Sequence, residues 1–409
     1  MDDTGQSAYT PRMWLEDSIN SGIKLGLETC SELLNRLKNP QKNFSSIHVA
    51  GTNGKGSLCA HLSALGSKNG VLIGFFSSPH LITVEERIRI DGIPISAEIF
   101  DHCLLSVHRA ASMKPTLNPT FFEITFLASL LVFSEKKVDV AIIETGLGGR
   151  LDCTRLVEAE VCAITTISKD HSEILGDELV KIASEKAAIY RKNKPLFSLY
   201  HANKDVRDVF IKFAGDDLIW FNPKSKNAWE ISREFAITIA DYLGWTIANY
   251  QLNWPGRSED NTIWIPGIRC RVSAAHNVES IENELNSIKE QVVMIIGMSS
   301  KINLKETLSP FLNQKKISYT IVTEPQHSRK PSTDSEDLIK ELRELNYIKL
   351  ENVHDPGKAL VRAGLIAREM DCSVLVIGSI YLVGDILSYV INRDSLDLYD
   401  MLTIHPPLK

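Results

Sequence analysis

Short apolar runs alternate with stretches of helical period along most of this chain. In the first half the runs Ile47–Ala50, Val71–Ser78, Val138–Glu144 and Val161–Ser168 have the length and composition of buried strands. Between them, residues 56–68 place Leu58, Leu62 and Leu65 on one helical face, with Gly70 as the C-cap, and Phe122–Lys136 reads as a further helix. The second half repeats the alternation, with strands at Val292–Gly297, Ser318–Thr323 and Ser373–Ile377 and helices around 278–290, 334–344 and 357–369. Strand–helix alternation of this kind predicts an α/β fold with largely parallel sheets. The Pro255–Gly256 turn marks a boundary. Residues 1–254 then form a larger parallel-sheet domain, and residues 255–409 a smaller Rossmann-like domain.

Composition narrows the class. The 409 residues are 44% hydrophobic and 23% charged, enough to fill large cores, and the net charge of −6 lacks the basic footprint of a nucleic-acid or anionic-membrane binder. Seven scattered cysteines, without a CxxC pair, argue against a zinc or disulfide framework. The start MDDTGQSAYT has no apolar h-region, and the longest apolar run, Ile124–Phe133, is half of the ~20 residues a membrane span needs. These features predict a reduced, cytoplasmic enzyme; a monomer is the expectation for it, though none of these features sets the oligomeric state.

The sharpest local signal is Gly51-Thr52-Asn53-Gly54-Lys55-Gly56-Ser57, directly after the strand Ile47–Ala50. Glycines let backbone N–H groups curl around phosphates, Lys55 adds a point charge, and the following helix adds its dipole. Gly56 separates Lys55 from Ser57, so the spacing is not the usual Walker one; an ordinary glycine turn is the alternative. Three more strands end in polar clusters: Ser77–His80, Glu144–Asp152 and Ser168–His171. Hydroxyl, carboxylate and imidazole at the carboxyl ends of parallel strands, beside a phosphate loop, fit a Mg²⁺–phosphate site.

Residues 177–188 read as an amphipathic helix whose inner face, Leu179, Ile182 and Ala183, also carries Lys186. A lysine there is either paired or snorkels from near the helix end. In the second half, Ala274-Ala275-His276-Asn277 opens a helix; a lone histidine in such a place serves structure more often than chemistry. Gly378–Gly384 follows the last strand and fits a second anion-binding turn.

Taken together, HVAGTNGKGS, SSPHL with Glu86-Arg87-Ile88, ETGLGGRLD, DHSEILGD with SEKAAI, WPGR and AHN resemble the folylpolyglutamate synthase/dihydrofolate synthase family of the Mur ligase superfamily, in the same order. The resemblance implies an ATP-dependent ligase that joins L-glutamate to dihydropteroate or a folate through an acyl phosphate. It implies ATP at Gly51–Ser57 with Arg257, and two Mg²⁺ ions held by Ser78, Glu144 and His171. Lys186 matches the lysine that the family carbamylates, and Lys55, Lys186, His171, Arg257 and His276 form the catalytic set. Thr120, Phe121, Phe122 and Glu123 fall at the pteroate or folate, and His276, Ser273 and Ser379 at the glutamate.

Three positions depart from the family pattern, one of them Lys169, where the family prefers an apolar residue before Asp-His. Ser273 stands where the family carries Asp, three residues before the histidine of AHN, and Phe235 aligns with a nucleotide-contacting Asn. These departures keep open a degenerate paralogue that binds or hydrolyses ATP in a regulatory role. An unrelated P-loop kinase or NTPase is the third reading.

Overall fold

The structure is a computed structural model that describes residues 10–406 except 171, 248, 302, 313, 329 and 330. The first sheet contains β1 (Ser45–Ala50), β2 (Ile73–Phe76), β3 (Ile88–Ile90), β4 (Ile93–Pro94), β5 (Val140–Glu144), β6 (Ala159–Ile164), β7 (Leu196–Leu199) and β8 (Leu218–Phe221), in the order 4-3-2-5-1-6-7-8. All pairings from β2 to β8 are parallel, and β3 and β4 are antiparallel additions at one edge. The second contains β9 (Arg257–Asn261), β10 (Cys270–Ser273), β11 (Val292–Ile296), β12 (Ile317–Val322), β13 (Leu350–Asn352) and β14 (Ser373–Ile377), in the order 13-12-11-14-10-9. Only β9 runs antiparallel there.

Because side chains alternate across a strand, each apolar run feeds two cores. Phe76, Ala141 and Ile143 pack into one core, with the helix Phe121–Lys136, while Phe75 and Ile142 pack into the core on the opposite face. The helix Lys55–Lys68 lies in that second core, yet Gly56 through Ser67 are all buried, not only its Leu58, Leu62 and Leu65 face. The extra burial comes from the helix Ala228–Tyr242, whose Phe235, Ala236, Ile239 and Ala240 join the same core.

Several boundaries differ from expectation for local reasons. Strand β2 stops at Phe76; Ser77 N still donates to Arg87 O at 2.9 Å, but Pro79 has no N–H to continue the ladder. Asp91 and Gly92, both at positive φ, turn β3 into β4, a hairpin whose Asp-Gly signal sits between alternating apolar residues. The last strand ends at Ile377, and Gly384 lies not in a turn but inside the helix Ile380–Asp394, where a Cβ would come within 2.1 Å of the Leu81 carbonyl oxygen. Only Gly378 (φ +119) serves as a turn glycine there. Leu81, from the loop after β2, thereby packs in the core of the second sheet. The chain's end returns the other way: Ile404 packs in the first unit's core, and His405 Nε2 lies 2.8 Å from Ser63 Oγ. No helix among the described residues is long and apolar enough to cross a membrane.

Candidate active site

Strand β1 delivers the chain to Gly51, and Gly54 (φ +83) opens the helix at Lys55. Gly51 (φ +145) must be glycine for a second reason, since a Cβ would meet Thr165 Oγ1 at 1.8 Å. The Lys55 ammonium curls back on its own loop, donating to Gly51 O (3.1 Å) and Thr52 O (3.0 Å). Register aligns the neighbouring strand ends with this loop: Val49 pairs with Glu144 and Ala50 with Ile164.

Glu144 is buried beside the loop, and its Oε2 accepts from Ser78 N at 3.3 Å. Burial raises its carboxyl pKa, while the charges of Lys55 and Arg257 oppose that rise. A Cβ on Gly56 would lie 3.0 Å from Arg257 Nη2, 3.2 Å from Trp254 and 3.4 Å from Glu144 Oε2. A cation from the start of the second sheet and a carboxylate from the first therefore meet over the first turn of the P-loop helix. This is the electrostatic centre of the site.

Lys186 lies on the buried face of the helix Leu179–Ala187, as its spacing predicted, and donates to Gly51 O at 2.8 Å. Burial, with Lys55 adding to it, lowers its pKa to about 7. His171 lies outside the described residues. Among the described residues no group of three His, Cys, Asp or Glu side chains is arranged to hold a metal.

On the adjoining wall, Phe121 carries the Arg87 guanidinium 5.1 Å from its ring centre, and the Phe122 ring packs where a Cβ on Gly146 would fall. Thr120 and Glu123 have a local duty. They form the capping box of the helix Phe121–Lys136, with Glu123 accepting from Thr120 N (2.8 Å) and Oγ1 (2.9 Å).

From the second sheet, Gly378 N donates to Ala275 O at 3.0 Å, which brings the turns after β10 and β14 together. His276 Nδ1 lies 2.9 Å from Ala274 O, and its Nε2 faces Asp170 of the first unit at 3.9 Å. Ser273 Oγ accepts from Ala275 N at 3.3 Å, and Ser379 Oγ caps its helix by accepting from Tyr381 N. One cavity of about 2380 Å³ spans both units, more than twice a usual single-ligand pocket. Every described residue predicted for the site lines it except Gly51 and Lys186, which lie behind the loop.

Sequence reasoning missed other parts of the junction. Asn277 exchanges two hydrogen bonds with Asn53 (3.3 and 2.9 Å), and the Glu279 carboxylate accepts from Asn53, Thr166 (3.2 Å) and Ser168 (2.7 Å). No local pattern encodes such a meeting across more than a hundred residues. Phe235 is buried and stacked on Phe221, with ring centres 4.9 Å apart, and does not line the cavity. Among the asparagines on the cavity wall is Asn227, the N-cap of the same helix, and an Asn just before an apolar-periodic run is a legible cap signal.

The fold and site define a two-domain α/β protein with a P-loop-type glycine turn facing a Rossmann-like unit. Residues 49–258, more than half of the chain, match the Mur ligase middle domain, and the chain belongs to the Mur ligase family. It is 41% identical over 189 residues to the dihydrofolate synthase/folylpolyglutamate synthase of Bacillus subtilis, a match spanning 45% of this chain and 44% of that relative. Among solved structures, folylpolyglutamate synthase of Mycobacterium tuberculosis complexed with ADP and AMPPCP superposes with a TM-score of 0.82 at 21% identity, covering 93% of this chain and 98% of that one. Escherichia coli FolC in complex with DHPP and ADP gives 0.78 at 24% identity, over 96% and 100% of the two chains.

Proposed function

We propose that this chain is an ATP-dependent ligase that joins L-glutamate to the carboxylate of dihydropteroate, a tetrahydrofolate, or both. The observation that carries the reading is the meeting of Arg257, Glu144 and Lys55 over the P-loop helix, at the mouth of a cavity with room for three substrates. An acceptor carboxylate oxygen attacks the γ-phosphorus, ADP leaves, and an acyl phosphate forms. The glutamate amine, having lost a proton, then attacks the acyl carbon and expels phosphate, leaving an amide. Little of this needs covalent participation by the protein; positioning and neutralisation of phosphoryl charge suffice.

In this reading the backbone of Gly51–Ser57 and Lys55 cradle the β- and γ-phosphates, and Arg257 meets the transferring group. Mg²⁺ requires few protein ligands when phosphates supply the rest, and a buried carboxylate whose pKa burial raises, next to a serine, fits it. Glu144 and Ser78 would hold the ion, whose positive charge would offset that of the phosphates. A second ion would depend on His171. Lys186 suits carbamylation, because a buried amine with a pKa of about 7 is largely neutral in mildly alkaline solution and able to take up CO₂. Phe121 and Phe122 would flank the aromatic acceptor, with Thr120 and Glu123 shaping that wall, and His276, Ser273 and Ser379 would face the glutamate. Asp170, beside His276, offers the carboxylate that Ser273 lacks.

The test is glutamate incorporation with ATP and Mg²⁺, offering dihydropteroate and tetrahydrofolate separately. Amide product with either acceptor supports the reading. ATP binding or hydrolysis that is indifferent to glutamate and to both acceptors would favour the degenerate paralogue, the reading that Ser273 motivates.

A further inference from the structure

Arg89 is a cation with no obvious employment. It is 1% exposed, and among the described residues no carboxylate lies closer than Glu86 Oε2, at 4.0 Å. That carboxylate is already shared among the backbone N–H groups of Leu81, Ile82 and Thr83. The remaining partners of Arg89 are neutral: Ser77 Oγ at 3.2 Å, Glu86 O, and Leu402 O at 3.5 Å. Its Nε has no hydrogen-bond partner among the described residues. A buried guanidinium so poorly neutralised is expensive to keep unless another group answers its charge.

The answering group is Trp254. The Arg89 guanidinium carbon lies 5.2 Å from the indole centre, and that of Arg257 lies 4.8 Å from the same indole. Phe75 meets the indole edge-on at 5.7 Å and 89°, so the ring is held from a core strand as well. Trp254 and Arg257 both press on Gly56, at 3.2 and 3.0 Å from the Cβ it lacks. Burial lowers the Arg89 pKa to about 10; the charge of Arg257 adds to the fall, so the two cations feel each other, while the carboxylates of Glu86 and, less strongly, Glu144 oppose it.

We propose that Arg89 and Trp254 are positioning residues that hold the Arg257 guanidinium over the P-loop helix where the γ-phosphate arrives. The indole face attracts Arg257 and fixes its plane, and Arg89 keeps the indole in place from the side of the metal-site loop. Arg89 thereby links that loop, through Ser77, to the Trp254–Arg257 segment and to the C-terminal helix, through Leu402. The pair rests on the reading that Arg257 contacts the γ-phosphate.

The test compares affinities of the full-length protein for Mg²⁺–AMPPNP and Mg²⁺–ADP, whose difference isolates the γ-phosphate. Arg89→Met and Trp254→Leu are expected to weaken AMPPNP binding about tenfold and ADP binding less than twofold, with Trp254→Phe losing less. Combined with Arg257→Ala, neither should add to the loss that Arg257→Ala causes alone. Equal losses for both nucleotides, wild-type discrimination in a folded variant, or additive losses in the double variants would each overturn the proposal. Should Arg89→Met not fold, the two Trp254 variants decide the matter. A chain that discriminates AMPPNP as expected but ligates nothing would remove the ligase reading and leave the pair standing.

Discussion

Lys186 weighs on the fold for as long as it carries a proton. Its pKa falls from 10.5 to about 7 chiefly through burial, then through Lys55. Between those values the unfolded chain binds a proton that the folded chain does not. Stability from this group is therefore greatest above pH 10.5, declines as pH falls to about 7, and is flat below. Lys186→Met should remove that slope, which denaturant unfolding of both proteins at neutral and alkaline pH checks; parallel slopes would mean that the amine is not titrating as described. In activity, Lys186→Ala should lose at least about a hundredfold and recover in part with added short carboxylic acids, since a carboxylate-like group is what the site lacks. Glu144→Gln should raise the Mg²⁺ concentration needed for half-maximal rate and lower kcat, an amide being a poorer ligand for a hard cation. An unchanged Mg²⁺ titration would remove Glu144 from the metal site.

At the scale of elements, the parallel strands nearest the P-loop and the helices between them were legible because their apolar runs are uninterrupted. Residues 373–377 are a strand as predicted, and the helix predicted at 334–344 begins one residue later. Strands β7 and β8 were not legible: Leu196–Leu199 and Leu218–Phe221 are four residues each, too short to show a period. Motifs carried the site better than periods did, because glycine, lysine and carboxylate at strand ends have few other uses there. Arg89 and Glu279 escaped, and Arg87 was read only as part of a motif, because their duties arise only when distant segments meet. Thr120 shows the reverse case, a cavity-lining residue whose capping duty the reading of it as a ligand residue did not include. Thr120→Val should lower unfolding stability by about 1 kcal/mol, the usual worth of an N-cap, read from the denaturant midpoint. No change in the midpoint would leave Thr120 free of the capping role.

At the scale of the whole molecule, the site exists only where the two sheets' units meet. Asn277 and Glu279 grip the P-loop asparagine, Leu81 sits against Gly384, and Ile404 returns to the first core. Such pinning brings Arg257 of one unit to Glu144 of the other, beside Lys55, and His276 to Asp170, the arrangement that the proposed phosphoryl and acyl transfers need. The central claim is that the acceptor carboxylate takes the γ-phosphoryl group in this junction, and isotope transfer tests it most directly. Dihydropteroate and tetrahydrofolate, each labelled with ¹⁸O in the carboxylate, are turned over with ATP and glutamate, and the phosphate released is weighed by mass spectrometry. The account predicts one ¹⁸O atom in each phosphate formed alongside amide, because the carboxylate oxygen that attacks phosphorus leaves with it. Amide formed with unlabelled phosphate, or phosphate released at the same rate without acceptor or glutamate, would contradict it.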